Sequence, residues 1–306
     1  MKRDSYTGSK IINPVRKSKT GKHALSIRNL RCIILSPLYM VRLSNGVKYM
    51  LLFMACISFY LPVRYALGGE EPESTVNTQK ISTAQSIMNN VIIALLKKDI
   101  DALKQIKSYH CTFIKQEMFN GKLSHTETIS YYYEAPCSIY MKWTNEQEKG
   151  LVAVYNCKKD KNHFKGKDSG IAGYLGFMKF KLKSNFVKAF HPNHWQINQS
   201  DIIFMTRMIL EQMEDSIKAG QFRLNSIKAV HDDEAGVDAL RFDAFLSDRP
   251  VDGILYSKAS IWVDSDTLIP VKLLLYNFKG ELYERYILKD MKLNVDIPRG
   301  IFVPVR

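Results

Sequence analysis

The side chains that could carry chemistry in this 306-residue sequence are few and scattered. His191 and His194 form an HxxH pair with no acidic residue close by, which is typical of two polar surface residues. Neither this pair nor the five cysteines have the ligand spacing of a known metal site. The motifs HExxH, GxSxG, GxxxxGK(S/T) and GxGxxG do not occur. We therefore predict no metal, no cofactor and no catalytic residue, and we expect the protein not to be an enzyme.

Cys137 and Cys157 are the two cysteines whose positions could allow a bond. If strands 137 to 143 and 151 to 157 form a hairpin about Gln147, residues whose numbers add to 294 face each other, and these two cysteines are such a pair. Directly opposed residues have Cα atoms about 4.5 to 5.5 Å apart, within reach of a disulfide. A register shifted by one residue would separate them. A disulfide would leave Cys111 free and buried.

The formal net charge of +14 first suggests a nucleic-acid or membrane-surface protein, but its distribution excludes that reading. Residues 1–47 hold ten Lys and Arg residues against the single acid Asp4. Residues 69–306 carry only about +3. Basicity is therefore a property of the leader, and no nucleic-acid partner is expected.

The segment that follows the basic leader, residues 48–68, has the features of a secretory signal peptide. An apolar run spans 49–63 and the small-x-small tripeptide 66–68 follows it, so we expect cleavage near Gly68 and export to the periplasm. The alternative is an uncleaved run 49–63 that anchors the protein to the cytoplasmic membrane. Translation from Met40 would give an ordinary signal, so we also expect that residues 1–39 are not made.

The exported part reads as a polar linker, 69–78, and one domain, 79–306, that begins with a helix. Apolar residues at three- and four-residue steps predict a helix from Ile81 to Lys98, and Asp99 caps a shorter helical turn. A second amphipathic helix follows Ser200-Asp201 and ends at Gly220. Its predicted apolar stripe consists of Ile202, Met205, Thr206, Ile209, Met213 and Ile217.

Two-residue alternation predicts the strands. It begins at Tyr109, and Asn120-Gly121 marks a hairpin turn. Residues 158–173 have no period and predict a long loop, whereas five further strands follow the second helix. Hairpin-sized links and the absence of parallel crossover units indicate an α+β fold with about nine to eleven antiparallel strands. A sheet of that size curls and can hold the amphipathic helix on its concave face.

Two groups of sequence motifs resemble a known family. The first lies in 109–117 (YHCTFIKQE), 120–123 and 140–143 (YMKW), and the second in 261–264 (IWVD), 267–271 and 277–280. They resemble the secreted bacterial family called domain of unknown function 1571, which is similar to the LolA/LolB lipoprotein-carrier superfamily. The resemblance implies a LolA-like incomplete barrel wrapped around a helix, with an apolar cavity for acyl chains. We assign no residue of this chain to the cavity arginine described in the carriers proper.

Methionine and aromatic residues on the predicted strand faces and the second helix suit a cavity for flexible apolar chains, although an ordinary core has the same composition. The candidate cavity residues are Cys111, Phe113, Ile129, Tyr131, Tyr133, Met141, Trp143, Met205, Ile209, Met213, Leu273 and Leu275. We expect an exported, non-enzymatic carrier that binds a lipid or an acylated lipoprotein and contacts the membrane transiently. The alternatives are an envelope regulatory or assembly module that binds a protein partner, and an uncharacterised envelope hydrolase.

Overall fold

The structure, a computed structural model, describes residues 73–168, 175–182 and 194–303. The predicted leader 1–47, the signal peptide 48–68, the first four residues of the linker and His191 lie outside the described residues.

The described strands form one antiparallel sheet with two edges, and its strand order is β7-β6-β5-β4-β3-β1-β12-β11-β10-β9-β8, with the short β2 paired to β1. β1 therefore lies at the centre of the sheet, between β3 and the last strand, β12. The strands are β1 Ser108–Phe119, β2 Lys122–Leu123, β3 Glu127–Glu134, β4 Ser138–Trp143, β5 Val152–Asn156, β6 His163–Lys167, β7 Met178–Lys181, β8 Arg223–Asp232, β9 Val237–Phe245, β10 Lys258–Asp264, β11 Pro270–Tyr276 and β12 Leu282–Leu293. The α+β class and the antiparallel curled sheet are as predicted.

The described strands number twelve, against the nine to eleven expected. Part of the difference lies in the predicted loop 158–173, because β6 runs through it and pairs with β7. The pattern of β6 is hard to recognise since the strand is five residues long and alternates lysine with Phe164 and Gly166. The predicted Asn120-Gly121 turn is present, and both residues have positive φ angles, of 51° and 75°.

One continuous helix, α1, runs over Glu73–Leu103. It begins inside the predicted linker 69–78, although Ser, Thr, Val and Asn in this part have low helix propensity, which shows that a polar composition does not prevent a helix. It also continues through Asp99, which was expected to cap a second helix. Asp99 is instead buried, at 2% exposure, in the helical interior beside Ile100.

The second helix, α2, spans Ile202–Lys218 and agrees with its predicted boundaries. Asp201 is the N-cap, since its carboxylate accepts a hydrogen bond of 2.9 Å from the Phe204 amide. Gly220 follows the helix with a φ of 69°, a conformation that glycine adopts readily. The predicted stripe is wrong at its end, because Ile217 is 37% exposed while Ser216 is buried.

The two faces of the sheet bury different clusters. The main core lies between the inner face and the two helices. On the outer face, a small cluster centres on Trp262 and Ile287, and a second joins Val152 and Val154 to Phe302 of the C-terminal segment.

Candidate functional site

The inner face under α2 brings the predicted cavity residues together. Eleven of the twelve are buried in the main core cluster, and Met205 packs against it half-buried. Tyr109 joins them and stacks on Tyr133 with ring centroids 5.0 Å apart. Burial raises the pKa of Tyr109 and Tyr131 well above the usual value, so both stay neutral phenols.

Polar contacts hold α2 at its two ends. At the N-terminus, the Ile202 amide donates to the Tyr109 hydroxyl over 3.2 Å. Near the C-terminus, the Gln212 side chain donates to the Gly253 carbonyl and accepts from the Leu255 amide, both over 2.6 Å. The Ser216 hydroxyl donates to the Leu246 carbonyl. Between these anchors, the contact of α2 with the sheet is mainly apolar.

A small cavity remains between α2 and strands β10 to β12. Its volume is about 20 Å³ and its lining includes Met205, Ile209 and Leu273. That volume holds about one water molecule. At this position, the side chains of α2 therefore fill nearly all of the space between the helix and the sheet.

A buried polar network lies at one end of the same inner face. The Lys115 ammonium lies 3.4 Å from carboxylate oxygens of both Glu117 and Glu127. Glu127 also accepts from the Trp143 indole over 2.7 Å, and Glu117 accepts from the Tyr286 hydroxyl over 2.6 Å. Each buried charge is thus compensated by an ion pair or by donors, which such charges require.

Glu284 extends the network to the segment that precedes α2. One oxygen lies 2.7 Å from Nδ1 of His194, and the other accepts from the Trp195 indole and the Tyr256 hydroxyl, each over 3.1 Å. The His194 amide donates to Glu117 over 3.1 Å. The network therefore fastens this segment to β1 and β12.

The surroundings of His194 favour an imidazolium. Its Nε2 lies 2.9 Å from the Met118 carbonyl, which can only accept, and its Nδ1 faces the Glu284 carboxylate, so both hydrogen bonds form together only when both nitrogens carry protons. Burial lowers the pKa of His194, but the hydrogen bond to Glu284 and the charges of Glu284 and Glu117 outweigh it and raise the pKa above its usual value. Because Nε2 is occupied by a carbonyl, the pair activates no nucleophilic hydroxyl.

Sequence reasoning missed this network, although a signal for it exists. The alternation that begins at Tyr109 continues through Lys115 and Glu117, and Glu127 is in phase with Ile129. The interpretation of His194 as a polar surface residue is wrong, because its side chain is 15% exposed and contacts an acid ninety residues further on.

Cys137 and Cys157 are joined in the structure by a disulfide, with Cα atoms 5.8 Å apart. The adjoining register pairs Ser138 with Asn156 and Ile139 with Tyr155, which is the register assumed in the sequence analysis. Cys111 is free and buried among the inner-face residues.

The described part of the chain contains neither a metal-binding cluster nor a membrane-spanning helix. There, no three His, Cys, Asp or Glu side chains are grouped so that they could hold a metal ion. No described helix combines the length and apolar character needed to cross a membrane.

A family model described as a protein of unknown function, DUF1571, matches residues 106–305. The chain belongs to this family. The match begins just before β1 and includes the inner face, α2 and the polar network. No curated protein matches the DUF1571 chain in sequence.

Solved structures with some likeness to the DUF1571 chain include proteins of the bacterial envelope. Lipoprotein LppX from Mycobacterium tuberculosis is 10% identical with a TM-score of 0.38, covering 68% of this chain and 98% of its own. MucB from Pseudomonas aeruginosa, solved with MucA, is 18% identical with a TM-score of 0.36, covering 69% and 59%. A LolA superfamily protein from Nitrosomonas europaea is 13% identical with a TM-score of 0.30, covering 68% and 96%. Likeness at this level says nothing about function.

Proposed function

We propose that this DUF1571 protein is an exported, non-enzymatic binding protein that takes up an acyl chain, of a lipid or of an acylated lipoprotein, between the sheet and α2. The observation that carries the proposal is the interface of α2. Its central contact with the inner face is mainly apolar, while its hydrogen-bonded anchors lie near the two ends.

Entry of an acyl chain between α2 and strands β10 to β12 requires α2 to move, because the cavity of about 20 Å³ there cannot hold one. The free energy gained by burying an acyl chain is similar to the free energy lost when the side chains of α2 leave the sheet. A sixteen-carbon chain gains roughly 12 kcal/mol at about 0.8 kcal/mol per methylene group. The buried apolar side chains of α2, at about 1.5 to 3 kcal/mol each, lose roughly 8 to 15 kcal/mol; they are Ile202, Met208, Ile209, Leu210 and Met213. The near balance favours reversible binding.

A designed disulfide tests whether α2 must move. A Cβ atom added at Gly253 would lie 3.7 Å from Cβ of Asp215, a separation that suits a disulfide. The variant Asp215→Cys/Gly253→Cys would attach α2 covalently at a second point, five residues before its link to β8 at Gly220. Gly253 has a φ of 85°, so some strain is expected and the fold of each variant is checked by circular dichroism.

The readout is the binding of a dansyl-labelled fatty acid, together with mass spectrometry of lipids extracted from the full chain purified from a bacterial envelope. We expect the wild type to carry lipid, and we expect the oxidised double variant to bind the probe at least tenfold more weakly until it is reduced. The controls are the two single-cysteine variants and reduced wild type, since reduction also opens Cys137–Cys157. Probe binding unaffected by the lock, or wild type that neither carries lipid nor binds the probe, would refute the proposal.

The filled inner face favours a second candidate, a module that binds a protein partner of the envelope with α2 in place. Recovery of one stoichiometric protein and no lipid from the same purification would support it. A hydrolase would instead require an activity that is lost when a single polar residue of the inner face is changed in a folded protein.

The proposed location is the periplasm, after cleavage near Gly68, with an anchor formed by uncleaved 49–63 as the alternative. N-terminal sequencing of the protein recovered from the envelope separates the two, and N-terminal sequencing of the unprocessed precursor tests translation from Met40.

A further inference from the structure

The outer surface of the β5–β7 end of the sheet concentrates positive charge. Between residues 158 and 182, the described chain has seven lysines against Asp160 and Asp168. Six of the seven lysines are exposed, and the seventh, Lys167, is half-buried. The small net charge of residues 69–306, about +3, is therefore the sum of a basic region and an acidic region. At the other end of the strand order, residues 232–266 hold nine acids against three bases.

Strand register places five lysines on one face. Phe164 and Phe180 stack with ring centroids 5.4 Å apart, and Phe164 packs against the main core, so these rings belong to the inner face. The alternating lysines of β6 and β7 therefore belong to the outer face. Lys165 is directly opposite Lys179, and Lys167 is linked through Val152 to Lys142. We call Lys142, Lys165, Lys167, Lys179 and Lys181 the lysine face.

Lys179 is paired with Asp160 over 2.6 Å, which offsets part of the repulsion that like charges directly opposite each other create in a sheet. The seven lysines of this segment still outnumber its two acids. Lysines on an edge strand also prevent edge-to-edge pairing, but Lys142 lies on β4, three strands from the edge, where no such protection is needed. The three lysines of the β5–β6 turn, Lys158, Lys159 and Lys161, extend the positive surface beyond the strands.

An exposed apolar side chain lies close to the lysine face in the sequence. Leu175, three residues before β7, is 77% exposed, the highest value among the large apolar side chains in the described ranges. Lysines that attract anionic head groups, combined with an apolar side chain that enters the bilayer, are the elements of a surface that binds membranes peripherally.

We propose that the lysine face, with Leu175, docks this protein onto a bilayer that contains anionic phospholipids. Charge complementarity favours an anionic bilayer as the partner of the lysine face. A lipid surface presents many negative head groups over the whole area of the face, and its binding requires no matching pocket. The proposal goes beyond acyl-chain binding and does not depend on it.

The test is flotation with vesicles of phosphatidylcholine alone or with about one third phosphatidylglycerol. The basic leader would bind such vesicles itself, so the full chain carries a protease site after Gly68 and the leader is removed from the folded protein. The test variant is Lys165→Gln/Lys167→Gln/Lys179→Gln/Lys181→Gln. The matched control changes net charge equally at lysines that are exposed elsewhere: Lys104→Gln/Lys228→Gln/Lys258→Gln/Lys279→Gln.

We expect binding to the anionic vesicles only, and its loss in about 1 M salt. One lysine at such a surface strengthens binding about fivefold, so four substitutions should weaken it roughly 600-fold. The control should bind like the wild type, and Leu175→Ser should bind more weakly. Equal binding of the test variant and the control would overturn the proposal. So would equal binding to neutral vesicles, or retention of an acidic protein on the lysine face without vesicle binding. Vesicle binding is measured without the fatty-acid probe, so either proposal can fail alone.

Discussion

His194 donates a hydrogen bond of 2.7 Å to the carboxylate of Glu284 and thereby joins the segment before α2 to the last strand of the sheet. Its other ring nitrogen is 2.9 Å from the Met118 carbonyl, at the end of β1. A neutral imidazole has a single N–H, so it can satisfy only one of these two acceptors. The proton on this ring therefore controls how firmly the segment is attached.

The first prediction is that the free energy of unfolding falls as the pH rises above 6.5. The folded-state pKa of His194 is raised, so its stabilisation is complete below the unfolded pKa and is lost as the pH passes the folded pKa. His194→Asn should destabilise the protein by about 1 to 3 kcal/mol at pH 6 and by less at pH 9. Urea unfolding at both pH values measures this. His125→Asn, which removes an exposed contact to Glu148, is the control. An unchanged pH dependence in His194→Asn would contradict the prediction.

The second prediction concerns Asp99, whose buried carboxylate oxygens have no hydrogen-bond partner. Burial raises its pKa from 3.8 to about 7, against a smaller opposing effect of Lys98. The folded state therefore binds more protons than the unfolded state between these values, and stability falls as the pH rises from about 4 to 7. Asp99→Asn should stabilise the protein by up to about 4 kcal/mol above pH 7 and have little effect near pH 4.

The matched control for Asp99→Asn is Asp101→Asn, which changes an exposed acid paired with Lys104 over 2.8 Å on the same helix. It should shift stability by less than about 1 kcal/mol at either pH. If the two variants had the same pH profile, the carboxylate of Asp99 would not be buried in solution.

The third prediction concerns Lys115, which compensates two buried carboxylates. Lys115→Met leaves Glu117 and Glu127 without their shared cation and should cost about 3 to 5 kcal/mol in unfolding free energy. Adding Glu127→Gln removes one of the two uncompensated charges and should restore part of the loss. Lys122→Met, at an exposed position of β2, should be nearly neutral. Chemical denaturation of the four proteins provides the comparison, and a neutral Lys115→Met would refute the compensating role.

The fourth prediction is that Cys137–Cys157 forms in an oxidising compartment. Protein recovered from there, unfolded and alkylated, should show two more reactive thiols after reduction than before. Loss of the bond, which closes a loop with a sequence separation of 20, should lower stability by about 3 kcal/mol. Cys137→Ser/Cys157→Ser should show the same loss, whereas reduction should then have no further effect on it. Equal thiol counts before and after reduction would exclude the bond.

The sequence predicted the elements whose patterns are long. α2 has an amphipathic stripe with a cap at Asp201 and a stop at Gly220, and β12 is twelve residues long. β6 has five residues and β7 four, too few for a period to emerge from lysine-rich strands. The helix boundary predicted at Asp99 was wrong for a different reason. A residue with a strong N-cap preference can also lie in a helix interior when tertiary contacts favour one long helix.

The apolar and polar parts of the candidate site differ in how well the sequence predicts them. Phe113 and Tyr131 are inward-facing by alternation and by hydrophobicity, and the two signals agree. For Lys115 and Glu284, alternation predicts the inner face, whereas their charge predicts the outer, solvent-exposed face. A prediction based on hydrophobicity therefore places both residues at the surface. Lys115 contacts Glu117, which lies directly opposite Glu284 across β1 and β12, and this pairing is seen only in the folded sheet.

The position of β1 between β3 and β12 has a consequence for biosynthesis. Tyr109 pairs with Leu293, so the central strand of the sheet waits for the last strand to be made before its second edge is satisfied. Until β12 has left the ribosome, the edges of β1 and β11 that pair with it have unsatisfied backbone hydrogen-bonding groups. Completion of the sheet therefore waits until β12 has been synthesised, and it involves slow closure of contacts that are distant in sequence. A chain whose sheet is completed late would stay incompletely folded for longer, which suits the export proposed above.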